Sequence, residues 1–378
     1  MTKKTSYSLL FALLLSNLVF AQKNARTNSG YYKKEMKALQ AVIQKNFYDS
    51  AAGYYKETAI HENGENPYSY LWPICALYQA SNEIEKVEPG KQVLSPMLKI
   101  IGDYYDPAPP KPGYASYILK FKGGDRFYDD NQWIGITSLD AFTRLKDKKF
   151  LSLGQDIYNY MMTGYDTVLT GGIYWQENKK ISKNTCSNGP GILVALQLYQ
   201  ATNNKSYLDT ALLIYNWVNK YLKTPSGLYW DNIGIADHKI GKATFSYNTG
   251  TMLQSNVYLY ECTKDEKYLK EAIAIADSSM PYFYGSKKFR DSYWFNAVLL
   301  RGYQHLLKYN KDLKYILAFK DCLDNALKSE RNEQGLFMGK DKPQDLVAHG
   351  GMLEILARYA LLENRYSLSG NKSLVQRR

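Results

Sequence analysis

A chain of 378 residues with 48 lysines and arginines against 36 acids carries a formal charge of +12, which raises the question of a nucleic-acid partner. The basic residues are scattered and often sit beside acids, as in Lys146-Asp147-Lys148 and Lys264-Asp265-Glu266-Lys267, so the charge describes a solvated surface and no nucleic-acid partner is expected. Cys75, Cys186, Cys262 and Cys322 form no C-x-x-C pair and the four histidines stand nowhere at ligand spacing, so neither a disulfide scaffold nor a metal is expected, and no cofactor.

In chain order, the first element is an address label. Lys3 and Lys4, the apolar run Leu9 to Leu15 and the small-residue end Val19-Phe20-Ala21 make residues 1–21 a secretory signal peptide. A secreted or periplasmic protein follows, in which one or two disulfides remain as open as four buried free thiols. No later run approaches the roughly 20 apolar residues of a membrane helix, so no membrane anchor is expected. Residues 22–30 form a short linker, 31–366 one undivided domain expected as a monomer, and 367–378 a basic tail.

Within 31–366 a Gly-aromatic turn recurs: Gly53-Tyr54-Tyr55, Gly113-Tyr114, Gly172-Ile173-Tyr174-Trp175, Gly227-Leu228-Tyr229-Trp230, Tyr284-Gly285 and Gly335-Leu336-Phe337. The glycines are 60, 59, 55, 58 and 50 residues apart, and the second and fifth turns are imperfect copies. After each turn the apolar spacing predicts a helix, over 68–81, 130–145, 188–202, 248–262, 293–308 and 347–362. Amphipathic helices alternate with these, over 33–47, 91–104, 150–162, 206–222, 267–279 and 312–328. The first set is the more apolar, and several of its members are apolar all round, as in Gly191-Ile192-Leu193-Val194-Ala195-Leu196, which suits the inside of a ring. Strand signals are confined to the turns. The expected fold is therefore all-α, six helical hairpins closed into an (α/α)6 barrel, with an open solenoid as the alternative.

In such a barrel the approaches to the inner helices share one rim. They hold Tyr68 and Tyr70, Asp129-Asp130-Asn131-Gln132-Trp133, Ser187-Asn188-Gly189-Pro190, Ser246-Tyr247-Asn248, Arg290-Asp291-Ser292-Tyr293-Trp294 and His349-Gly350. Carboxylates, amides and aromatic faces are the groups that grip sugars. The adjacent acids Asp129 and Asp130 suit retaining glycoside hydrolysis, which needs two carboxyls about 5 Å apart, one of them protonated. The plainer alternative is a helix cap, because Asp129 and Gln132 stand at capping-box spacing. Asp231 is either a ligand for a sugar hydroxyl or a turn residue. Gly123-Gly124-Asp125 lacks the lysine of a phosphate loop. No histidine stands beside the acidic pair, unlike the sugar epimerases of similar architecture.

The run Tyr128-Asp129-Asp130-Asn131-Gln132-Trp133 resembles the Asp-Asp-x-x-Trp signature of glycoside hydrolase family 76, the endo-α-1,6-mannanases. Gly171-Gly172-Ile173-Tyr174-Trp175, Ser187-Asn188-Gly189-Pro190 and Ser246-Tyr247-Asn248-Thr249-Gly250 match that pattern in order, over about residues 31–362. The resemblance implies an (α/α)6 barrel that cleaves α-1,6-linked mannan with retention and without metal. It implies Asp129 as nucleophile and Asp130 as acid/base, with Trp133, Trp175, Asn188, Asp231, Tyr247 and Asn248 binding the substrate. Tyr293-Trp294-Phe295-Asn296 departs from the pattern, where an aromatic-Phe-Lys-Gly stretch is expected. A hydrolase of unsaturated uronides, a mannan transglycosidase and a catalytically weak glycan-binding protein are the alternatives.

Overall fold

Each outer helix hides one stripe and wets the other. In α1 (Tyr31–Asn46) Tyr32, Met36, Leu39 and Ile43 are buried at the three- and four-residue steps of one helical face. The same pattern makes α3 (Leu94–Gly102), α5 (Lys148–Met161), α7 (Lys205–Tyr221), α9 (Glu266–Tyr284) and α11 (Lys314–Ser329). The alternating helices α2 (Leu71–Val87), α4 (Tyr128–Leu145), α6 (Thr185–Thr202), α8 (Ser246–Thr263), α10 (Tyr293–Asn310) and α12 (Leu346–Arg365) are buried almost all round. These six pack side by side in chain order, and α12 returns against α2, so the ring closes and the solenoid alternative is set aside. This computed structural model describes residues 30–60, 64–338, 344–366 and 368. The expected signal peptide, residues 22–29 of the linker and all of the basic tail but Leu368 lie outside the described residues.

Closure demands small residues where inner helices touch. A Cβ on Gly250 would lie 2.6 Å from the backbone of Leu299 in α10, and one on Gly351 would lie 2.3 Å from the backbone nitrogen of Trp294. Both glycines therefore answer to a close helix approach.

The Gly-aromatic turns lead from outer to inner helices. Gly53, Gly172, Gly227 and Gly335 share a positive φ of 80 to 85°, the left-handed region where glycine carries no steric penalty. Tyr48–Asp49 (β1) pairs with Tyr54–Tyr55 (β2), and Tyr105–Asp106 (β3) with Gly113–Tyr114 (β4). The fifth copy is only the end of α9, with Gly285 at its cap. The turns are not the whole of the strand content. Ser182–Asn184 (β5), Trp230–Gly234 (β6) and Ile240–Thr244 (β7) form an antiparallel sheet on the rim, in the order β5-β6-β7.

One device recurs where turns meet inner helices. Asn131, in α4, accepts a hydrogen bond from Tyr114 N (2.7 Å) and donates to Tyr114 O (2.9 Å). Asn188, in α6, does the same with Ile173 N (2.7 Å) and O (2.8 Å). In α12, His349 accepts from Phe337 N (3.0 Å) and its other ring nitrogen meets Asp345 O at 2.6 Å. Burial pushes the His349 imidazole down to about 4, which keeps it neutral for this pairing. Each clamp satisfies backbone groups that a short turn would otherwise leave unpaired.

Candidate active site

Asp129 and Asp130 stand in the first turn of α4, whose cap residue is Phe127 and makes no side-chain cap. The capping-box alternative is not realised: Gln132 donates to Ser187 O (2.8 Å) instead. Both carboxyls line a cavity of about 560 Å³ at the common rim. Their surroundings differ. Trp175 Nε1 donates to Asp129 Oδ2 at 3.2 Å, and the Cys186 thiol and the first-turn amides add to the groups that favour the charged form of Asp129. Burial nevertheless pushes Asp129 up to about 6. Asp130 is pushed far higher, first by burial and then by the charge of Asp129, with nothing pulling it back. Burial and mutual repulsion thus favour a single charge on the pair, with Asp130 the carboxyl more strongly held in its protonated form.

The walls suit a neutral, hydroxyl-rich ring. Aromatic faces come from Tyr70, Trp72, Trp175 and Tyr247, and polar groups from Glu57, Asn184, Asp231 and Asn232. Among the described residues every charged group on these walls is a carboxylate. Tyr247 stacks on Phe295, ring centres 4.1 Å apart, and Trp133 meets Trp294 edge to face at 4.9 Å. Beyond Glu57, Trp72 and Phe295, which belong to both, lies a second cavity of about 870 Å³. Among the described residues no cluster of three or more His, Cys, Asp or Glu could hold a metal.

The model of glycosyl hydrolase family 76 matches residues 31–303. The chain belongs to this family. Among curated relatives, the mannan endo-1,6-alpha-mannosidase DCW1 of Candida albicans is 33% identical over 171 residues, 41% of this chain and 38% of that protein. DCW1 of Saccharomyces cerevisiae is 27% identical over 172 residues, 41% of this chain and 38% of its own length. The chain thus spans less than two fifths of these relatives. A family 76 alpha-mannanase of Bacteroides thetaiotaomicron superposes with a TM-score of 0.81 at 25% identity, covering 88% of this chain and 96% of that one. The alpha-1,6-mannanase of Salegentibacter sp. HEL1_6, an inactive variant with two consecutive aspartates replaced, in complex with alpha-1,6-mannotriose, gives 0.73 at 22%, covering 88% and 99%. The resemblance read from the motifs and the barrel expected from the repeat are both borne out.

Family 76 membership does not place every expected site residue in the cavity. Trp133, Trp175, Asp231 and Tyr247 line it with the acidic pair. Asn188 does not: it is fully buried, and Ile173 and Asn184 O (2.7 Å) occupy its amide. Asn248 is also fully buried; its nitrogen lies 3.5 Å from Asp231 Oδ1, so it stands behind Asp231. Glu57 and Cys186 line the cavity although the motifs did not single them out. The repeat could have found Glu57, which follows Gly53 by the four residues that separate Asp231 from Gly227. Glu57 Oε2 accepts from Ser69 Oγ (2.7 Å) and Tyr70 N (3.0 Å), which ties it to the approach of α2. The four cysteines are free, so no disulfide joins them.

Proposed function

We propose that the protein is an exported, retaining glycosidase that cuts α-1,6-mannosidic bonds in mannan backbones. Asp129 attacks the anomeric carbon and Asp130 hands its proton to the departing glycosidic oxygen. In the second half, Asp130 takes a proton from water, whose oxygen displaces Asp129 from the sugar. The observation that carries this reading is the unequal pair: two adjacent carboxyls, one supported as an anion by the indole N–H of Trp175, the other kept protonated. Asp231, Asn232 and Glu57 are placed for sugar hydroxyls, with Trp175, Tyr247 and Trp72 as ring faces. The names of the relatives supply the linkage, and the second cavity leaves room for a chain longer than one sugar. The acidic walls of the cavity around Asp129 and Asp130 argue against a uronide at the point of cleavage, where its carboxylate would meet like charges.

The test is digestion of linear α-1,6-mannan by the purified protein, with NMR of the first product. Short manno-oligosaccharides with the α-anomer first are expected. Untouched mannan, or consumption of unsaturated uronides in its place, would overturn the substrate; a β-anomer first would overturn retention. Asp129→Asn and Asp130→Asn should each lose turnover by at least about a thousandfold. Export is tested by intact mass: a mature chain beginning at Gln22 is expected, and an unprocessed chain would contradict it.

A further inference from the structure

Outside the catalytic cavity the rim carries a second aromatic surface, on the segment between β4 and α4. Leu119 and Phe121 are 42% and 46% exposed there, and Tyr70, whose ring packs on Tyr117 of the same segment, is 43% exposed. The Phe121 ring lies 5.4 Å from Tyr68, inclined by 33°, and Tyr70 lies 5.4 Å from Tyr117. Tyr70 also lines the catalytic cavity, so this surface begins where the cavity ends. Single exposed apolar side chains are ordinary, but rings from two loops gathered at the mouth of a site are not.

The surface is held in shape. Leu119 N donates to Asp103 O (3.0 Å), Gly123 N to Ile118 O (3.2 Å) and Ser116 N to Asp125 O (2.9 Å). Asn66 Nδ2 donates to the Tyr70 hydroxyl at 2.7 Å. Lys120 Nζ lies 4.6 Å over the Tyr54 ring and 5.4 Å over Phe121. Fixed rings with hydrogen-bonding groups at their edges match a pyranose, whose C–H face stacks while its hydroxyls reach outward. Little order has to be acquired on binding, which keeps the cost of association low.

We propose that Tyr70, Tyr68 and Phe121, backed by the fully buried Tyr117, form an accessory platform for a neutral polysaccharide chain leaving the catalytic cavity. The platform holds polymer and takes no part in bond cleavage. Its ligand rests on the mannan reading above.

The experiment compares the wild type with Phe121→Ala and Leu119→Ala, singly and together, on linear α-1,6-mannan and on α-1,6-mannotriose. The ratio of polymer kcat/KM to trisaccharide kcat/KM should fall about three- to tenfold, the scale of one lost stacked ring. In an Asp129→Asn/Asp130→Asn background, retardation by mannan in affinity electrophoresis should weaken by a similar factor, and Phe121→Tyr should restore both. An unchanged ratio with unchanged retardation overturns the platform while leaving the hydrolase reading intact. An equal fall on both substrates also overturns it, because the loop would then act through the cavity. A wild type inactive on mannan removes the substrate reading and the platform's ligand with it. Loss of a dimer on substitution would assign the surface to self-association and overturn the proposal.

Discussion

Trp175→Phe keeps a ring in the cavity wall and deletes one hydrogen bond, so it isolates what the indole does for Asp129. The bond runs from Nε1 to Asp129 Oδ2 at 3.2 Å. A hydrogen bond to a charged group is worth about 1.5–3 kcal/mol. Here the donor is 37% exposed and solvent screens it, so about 1 kcal/mol is the working figure. Because roughly 1.36 kcal/mol corresponds to one pH unit, Asp129 should titrate about 0.7 unit higher in the variant. The lost donor favoured the charged form, so its removal raises a carboxyl that burial has already pushed up to about 6. The acid limb of kcat/KM against pH, measured on α-1,6-mannotriose, should therefore move toward neutral pH. The alkaline limb, set by the proton on Asp130, should stay nearly in place, although the two limbs strictly belong to the pair. An unmoved acid limb would remove the indole from the charge balance of Asp129. A shift confined to the alkaline limb would reverse the roles of the two carboxyls.

Three further outcomes follow from the same geometry. Asp130 keeps its proton in the folded protein to a higher pH than in the unfolded chain, so wild-type stability should fall as pH rises from about 3.8 through the raised value. Asn has no such proton to lose, so Asp130→Asn should melt higher than wild type at pH 8 and about equal to it near pH 4; a lower melting point at pH 8 would contradict the raised carboxyl. Asn188→Ala should cost about 3 kcal/mol or more in urea unfolding, because it strips partners from buried backbone groups, while the KM of the folded fraction stays unchanged; a raised KM would return Asn188 to the binding site. Lys183→Met should cost about 2–4 kcal/mol by the same assay, because the buried ammonium donates to Asp166 Oδ1 (2.6 Å), Val168 O (2.8 Å) and Gly171 O (2.7 Å); unaltered unfolding would show that this cluster is solvated.

The outer helices were legible because a half-buried helix writes its burial into a 3.6-residue period. The inner helices were legible through apolar density, with one instructive miss. The spacing predicts 68–81 for the first of them, but α2 runs Leu71–Val87. It starts late because Tyr70 N is held by Glu57 and Leu71 N by Ser116 O. It runs on through Asn82 and Glu83, whose polarity suggests an end. Both are buried, and Glu83 is paired with Lys86 of the same helix (2.6 Å) and with Arg358 (3.2 Å), the second a pairing with a distant part of the chain. The sheet β5-β6-β7 was illegible for the same reason: Ser182-Lys183-Asn184 has no strand-like alternation, and its partner lies some fifty residues away. The placement of Asn188 away from the cavity has another origin. An amide at the rim is equally suited to a sugar hydroxyl and to a turn's backbone, and only the distance to Ile173 separates the two.

Ring closure also bears on how one acidic pair would carry the proposed chemistry. It gathers the N-termini of the inner helices on one rim, where α2, α4, α6, α8 and α10 line the cavity and each contributes a partial positive charge. In α4, α6, α10 and α12 a buried amide or imidazole spends its hydrogen bonds on nearby backbone groups (Asn131, Asn188, Asn296 and His349). Among the inner helices only α4 places carboxylates in its first turn. The helix ends can support the charge on Asp129, but burial and that charge together keep Asp130 protonated. The oxocarbenium-like transition state of the proposed reaction would bring positive charge into a cavity walled by carboxylates, and its stabilisation is strongest where water is excluded. In the proposed reaction the two acids are thus coupled in function as well as in titration. Asp129→Asn would remove more than the proposed nucleophile: it would also remove the charge that adds to burial in holding the proton on Asp130, and so should lower the pH at which Asp130 ionises.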